Sequence, residues 1–242
     1  MKRFILTVSA MLAMAFSCFA ANPESDFIYD MAPDGQGVMI TSYKGKSTTV
    51  VIPDTIEGLP VTQIGTTGPN MGVFPHILKK ATKDIPYNVT VPKSVKVIGD
   101  NAFMELKGKI DIDLSNITLI GDGAFTNSDL SGTIKISKNL EFIGAEAFKR
   151  TKITAVIIEE GVTSVLKGTF MDCPNLKSVT LPSTLTKIEN LAFSGCSALT
   201  EVIIPEGTKI DYKSDIFAFV RCTSLSLATK AKIKATGYTG NF

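Results

Sequence analysis

The sequence is short of the residues on which most chemistry depends. Its 242 residues hold one histidine, His76, so a multi-histidine metal site or a His-dependent triad would rest on one side chain with no visible partner. A surface or loop histidine is the plainer reading. Gly-rich phosphate loops of either common spacing are absent, and "GDGAF" at residues 121–125 belongs to a repeated bend. Acidic residues occur singly or as pairs such as Glu159-Glu160, a pattern of solvated rims that offers no two carboxylates held across a cleft. No catalytic, metal-binding or cofactor-binding residue is therefore assigned, and the expectation is a protein that is not an enzyme.

Charge of one sign is missing as well. Lys and Arg number 25 against 23 Asp and Glu, and Lys2 and Arg3 in the first 20 positions account for the excess. The rest of the chain is balanced, which gives no electrostatic case for nucleic acid or an anionic membrane surface. The one dense basic run is "KAKIK" at residues 230–234. Past the N-terminus no stretch approaches the ~20 apolar residues of a membrane span, so no transmembrane span is expected.

What is present begins with "MKRFILTVSAMLAMAFSCFAANPESDF". A basic start, an apolar stretch from Phe4 to Phe19 and small residues after it have the layout of a secretory signal peptide over residues 1–20, cleaved between Ala20 and Ala21. A competing reading makes Cys18 the lipid-bearing cysteine of a lipoprotein, but Ala15-Phe16-Ser17 lacks the leading aliphatic of a lipobox. Either way the chain is expected to be exported: secreted, periplasmic or held at the cell surface.

The remainder is periodic. Phe103, Phe125, Phe148, Phe170, Phe193 and Phe219 share one frame, at spacings of 22, 23, 22, 23 and 26 residues. A unit of that length is one coil of a solenoid, too small to bury its apolar side alone and stable only when stacked on neighbours. In "TLPSTLTKIENLAFSGCSALTEV" a short strand around Val179 and Leu181 ends at Pro182, and the apolar positions then follow a bend and a turn. Equivalent strand pairs are Val89/Val91, Ile112/Leu114, Ile134/Ile136, Val156/Ile158 and Val202/Ile204. Stacked in register they predict a parallel sheet of seven rungs, roughly 30 Å long. The pairs Ile98-Gly99, Ile120-Gly121 and Ile143-Gly144 suit a second bend, with glycine expected there for its conformational freedom.

The frame VxxIGxxAFxxCxxLxxVxLP resembles the BspA-like leucine-rich repeat family, and "VVIPDTIEGLPVTQIG" at residues 50–65 resembles the phrase that opens its arrays. The resemblance covers about residues 26–242 and implies a leucine-rich repeat solenoid, α/β or mostly β: a right-handed coil of 22–23-residue repeats with a parallel sheet. Departures are an insertion near residues 66–88, the absence of cysteine from the earlier repeats, and the lengthened "KIDYKSDIFAF" of the last unit. Solenoid ends need caps. Residues 21–49 read as an N-terminal β-hairpin cap, residues 50–225 as the repeats and residues 226–242 as a C-terminal cap. In that last segment Ala231, Ile233 and Ala235 alternate with lysines as a strand would, whereas Ser226 as N-cap and Gly237 as terminator favour a helix, as do similar family tails.

Cys173, Cys196 and Cys222 each fall three positions after a ladder phenylalanine and so form one column. Stacked Cβ vectors run parallel, which holds sulfurs too far apart for an unstrained disulfide, so a buried thiol ladder is expected over a disulfide or a metal site. The surface left for recognition is the outward side of the sheet. By alternation its positions are Val51, Thr90, Asp113, Lys135, Ile157, Thr180 and Ile203, beside a row of Asp111, Thr133, Ala155, Ser178 and Glu201. It offers no aromatic row for stacking on sugars. Ile157 and Ile203 are β-branched apolar residues on an open face, which reads either as a binding patch or as ordinary strand residues. The 66–88 insertion is a second candidate, with a tolerated surface insertion as its bland alternative. The family resemblance implies adhesion or protein–protein recognition, with a host matrix protein or another cell-surface protein as partner. A structural spacer or assembly subunit of the envelope, and a carbohydrate-active enzyme, are the alternatives.

Overall fold

A computed structural model describes residues 20–67, 85–212 and 217–242. The expectations for the leader and Cys18, for His76 and most of the 66–88 insertion, and for residues 213–216 of the last unit lie outside the described residues. Each unit forms one rung, and every rung sends a short strand to a front sheet. Thr49–Val51, Asn88–Thr90 and Ile110–Asp111 pair in parallel, as do Ser131–Ile136, Lys152–Ile158, Ser178–Thr180 and Glu201–Ile203. Ile134, Val156, Val179 and Val202 share one register position and point into the core, where all four are buried.

The front is thus two parallel sheets of three and four strands, where a single seven-rung sheet was expected. One residue explains the break. From Val91 to Val95 the chain takes four steps, but from Ile112 to Ile117 it takes five, and the extra residue is taken up by a 3-10 turn at Leu114–Asn116. The strand of that rung is consequently Ile110–Asp111, with Ile110 opposite Val89, and the expected pair Ile112/Leu114 is displaced from it.

A second ladder runs along the rear. Leu59–Ile64, Val97–Ile98, Leu119–Ile120 and Phe142–Ile143 pair in parallel, and Ser164–Val165 pairs with Lys187–Ile188. The N-terminal hairpin, Phe27–Met31 against Val38–Tyr43, joins this rear ladder, with Val38–Tyr43 lying parallel to Leu59–Ile64. Gly99, Gly121 and Gly144 follow the rear strands, yet none has a positive φ. Their requirement is room. A Cβ on Gly121 would lie 2.6 Å from Asp100 N and 2.8 Å from the Gly99 carbonyl carbon, so successive rungs approach there too closely for any side chain.

Between the ladders lies the phenylalanine column. The rings of Phe103, Phe125, Phe148, Phe170, Phe193 and Phe219 stack at 5.3–5.5 Å between centroids with planes 4–12° apart, all buried. Each ring is pinned by its own backbone: the Phe103 amide donates to Ala124 O at 2.7 Å, Phe125 to Ala147 O at 2.8 Å and Phe170 to Ala192 O at 2.9 Å. At the C-terminal end no further rung exists to accept, and the Tyr238 hydroxyl accepts from the Phe219 amide at 3.3 Å while its ring meets Phe219 edge-on. The helix Leu227–Ala235 follows, with Ser226 as its N-cap and Gly237 beyond its end, so the helical alternative holds.

Phe148→Ala is expected to cost about 3–5 kcal/mol, because the rings on either side hold the cavity open. Gly121→Ala should cost more than about 1 kcal/mol although it only adds a methyl group, since backbone must shift to admit it. Chemical denaturation of both variants checks these values; an unaltered midpoint for Gly121→Ala would contradict the close-approach account.

Candidate recognition surface

The thiol column forms just behind the ring column. Cys173, Cys196 and Cys222 are free and fully buried. Each donates to the carbonyl of the phenylalanine one rung before: Cys173 Sγ to Phe148 O at 3.2 Å, Cys196 Sγ to Phe170 O at 3.1 Å and Cys222 Sγ to Phe193 O at 3.1 Å. In earlier rungs the column holds Ser128 and Thr151, and Thr151 Oγ1 donates to Phe148 O at 2.8 Å. From the Phe125 rung onward the position holds a small residue able to donate, whereas on the Phe103 rung it is the buried Leu106. Burial pushes the Cys222 thiol up to about 12. Within the adjacent pair, the hydrogen bond between the two thiols raises Cys196 and lowers Cys173. Among the described residues no group of three or more His, Cys, Asp or Glu could hold a metal ion.

The four-stranded front sheet brings Lys135, Ile157, Thr180 and Ile203 into one direct register row, with Thr133, Ala155, Ser178 and Glu201 as the adjoining row. Ile157 and Ile203 are 39% and 48% exposed and flank the half-buried Thr180. Two rung spacings put them about 9–10 Å apart. Lys135 at the head of the row is engaged: its Nζ lies 2.6 Å from a Glu159 carboxylate oxygen. The hydrogen bond from Lys135 also holds Glu159 below the usual carboxylate range.

Three of the expected face residues are elsewhere, Val51 pairing with Thr90 in the three-stranded sheet. Thr90 belongs to the three-stranded sheet, where its neighbour is Asp111. Asp113 is in no strand: it is the N-cap of the 3-10 turn, accepting from Ser115 N at 3.0 Å, and that bond lowers its carboxyl. Other exposed apolar residues escaped notice, among them Phe142 at 44% on the rear ladder, Phe217 at 45%, and Leu227 at 86% on the helix. A cleft of about 460 Å³ also forms between the bend after Ile203 and the C-terminal helix. Its only trace in the sequence is the "KAKIK" run, because the other wall comes from residues 204–209.

Residues 83–177 match, in six copies, the family described as BspA type leucine rich repeat region. That stretch is a BspA-type leucine-rich repeat region. Among solved structures, the leucine-rich repeat protein of T. pallidum is similar at 28% identity with a TM-score of 0.74, over 92% of this chain and 99% of that one. A leucine-rich repeat protein from Eubacterium ventriosum gives 22% identity and a TM-score of 0.48, over 76% of this chain and 55% of that one. No curated protein matches the sequence. These similar structures are of bacterial leucine-rich repeat proteins. No helix among the described residues is long and apolar enough to cross a membrane.

The thiol column makes a pH-dependent prediction. From an ordinary value of 9.0 to a folded value of about 12, the unfolded chain sheds the Cys222 proton that the folded chain keeps. Stability should thus fall as pH rises through that window, by about 1.4 kcal/mol per pH unit for one such thiol. Tyr212, raised to about 12 chiefly by burial, adds to the slope above its ordinary 10.0. Cys222→Ser keeps a donor for Phe193 O but does not titrate, so it should flatten the denaturation midpoint between pH 9 and 10; an unaltered slope would refute the assignment.

Proposed function

We propose that this BspA-type protein is exported and recognises a protein partner at the bacterial surface, in adhesion to a host matrix protein or to another cell surface. The observation that carries the reading is the open four-stranded face, where Ile157 and Ile203 stand exposed on either side of Thr180 with small or hydroxyl-bearing neighbours. The solenoid core accounts for the inward residues of these strands but for neither isoleucine. Two apolar side chains on a flat, rigid sheet give a partner's apolar residue a seat between them at no cost of ordering. Lys135 with Glu159 at one end and Glu201 at the other supply the polar rim. The layout of residues 1–20 supports export, and the repeat array supports recognition of a protein.

The test is a binding screen of the mature chain against immobilised matrix proteins and glycans, repeated with Ile157→Lys plus Ile203→Lys. Binding to at least one protein, weakened tenfold or more in the double variant with folding intact, is the expected result. Unchanged binding would reject the front face as the recognition surface.

A further inference from the structure

We infer that the C-terminal cap carries a second binding site, a cleft that takes an acidic, partly apolar peptide segment of a protein partner. This goes beyond recognition through the front face and rests on different residues. The cleft, about 460 Å³, opens between the bend that follows the last front strand and the outer side of the helix Leu227–Ala235. That volume is within the usual range of ligand-binding clefts. Ile204, Pro205 and Ala235 supply its apolar lining, and Lys209, Lys232 and Glu206 its charged groups.

The charge is asymmetric in a way the rest of the molecule is not. Residues 217–242 contain Arg221, Lys230, Lys232 and Lys234 but no Asp or Glu, whereas residues 21–216 hold 19 Lys and Arg against 23 Asp and Glu. The helix lysines divide by role. Lys230 and Lys234 hold their Nζ atoms 5.5 and 6.0 Å from the Phe242 ring centroid, which occupies them in packing the chain end. Lys232 is exposed, lines the cleft and makes no ion pair among the described residues. Lys209 is fixed across from it by donating to Ala235 O at 3.0 Å, at the helix C-terminus. Two ammonium groups beside an apolar wall suit a carboxylate next to an apolar side chain. Glu206 makes the site mixed in charge, less suited to a dense polyanion such as a nucleic acid or sulfated glycan, and gives a peptide N–H an acceptor beside the two lysines.

The experiment titrates the mature full-length protein with a fluorescein-labelled peptide of alternating Glu and Leu, against a Lys/Leu peptide of equal length and a heparin oligosaccharide. The acidic peptide should bind, with a Kd that rises with salt. Lys232→Glu should weaken it about tenfold and Lys232→Gln by less, while Ile157→Lys plus Ile203→Lys leaves it unchanged. Tighter binding of the Lys/Leu peptide or of heparin would overturn the proposal, as would equal affinities for wild type and Lys232→Glu. Because the front-face variant is assayed separately, failure here leaves the recognition role of the front face standing or falling on its own screen.

Discussion

The hydrogen bond from the amide of each ladder phenylalanine to the next rung is the constraint on which the remaining structure depends. It sets the rung separation, and the ring above it has no choice but to stack on its neighbours at 5.3–5.5 Å. Everything placed at a fixed distance from that phenylalanine along the chain then recurs at the same place on the next rung. Two positions before it and two after it the backbone is left-handed, as at Asn101 and Glu105 or at Glu146 and Arg150. Three after it, in the last three rungs, sits a cysteine whose thiol is satisfied by the previous phenylalanine's carbonyl. The repeat is therefore less a preference for leucine than a set of columns, each filled by whatever residue that place in the turn tolerates.

Repetition creates a difficulty at both ends, where donors and acceptors face no further rung. At the N-terminal side Asn22 imitates a missing strand: its amide donates to Val51 O at 2.9 Å and its Oδ1 accepts from Val51 N at 2.8 Å. At the C-terminal side the Tyr238 hydroxyl stands in for a carbonyl, and its ring closes the column edge-on. Side-chain groups are needed because the covering elements, a hairpin and a helix, do not share the geometry of a rung. A solenoid that left these groups open would present sticky strand edges.

Function on such a scaffold resides in what stacking does not consume. Most charged side chains on the rungs serve the stack: Asp100 Oδ1 accepts from Asp122 N, Glu160 accepts from Ser183 N, and Asp129 receives Lys152. These acids are engaged in holding one rung to the next. Among the residues left over are the two isoleucines of the front face, Phe142 behind, Leu227 on the helix, and Lys232 beside the terminal cleft. Rigid spacing along the rungs makes such leftovers useful, since their separation is set by the stack and not by flexible loops.

The sequence by itself determined the solenoid, its rung length, the hairpin and helix at its ends, and the columns of phenylalanine and cysteine, because each depends only on residues recurring at a fixed separation. The inward and outward alternation of Lys135, Ile157, Thr180 and Ile203 was equally legible, because those strands keep one register from Thr133 onward, the shift at Gly132 lying before it. Only the tertiary structure decided where register fails. One extra residue before Ile117 moves Asp113 out of the sheet and puts Asp111 beside Thr90, and a period counted from phenylalanine to phenylalanine conceals it, since the preceding stretch is shorter to match. Tertiary structure alone also showed that Gly121 is a matter of space between rungs and not of backbone shape, and that residues 204–209 and 232–236 share a cleft. Distances between segments that meet only on folding leave no periodic mark on the chain.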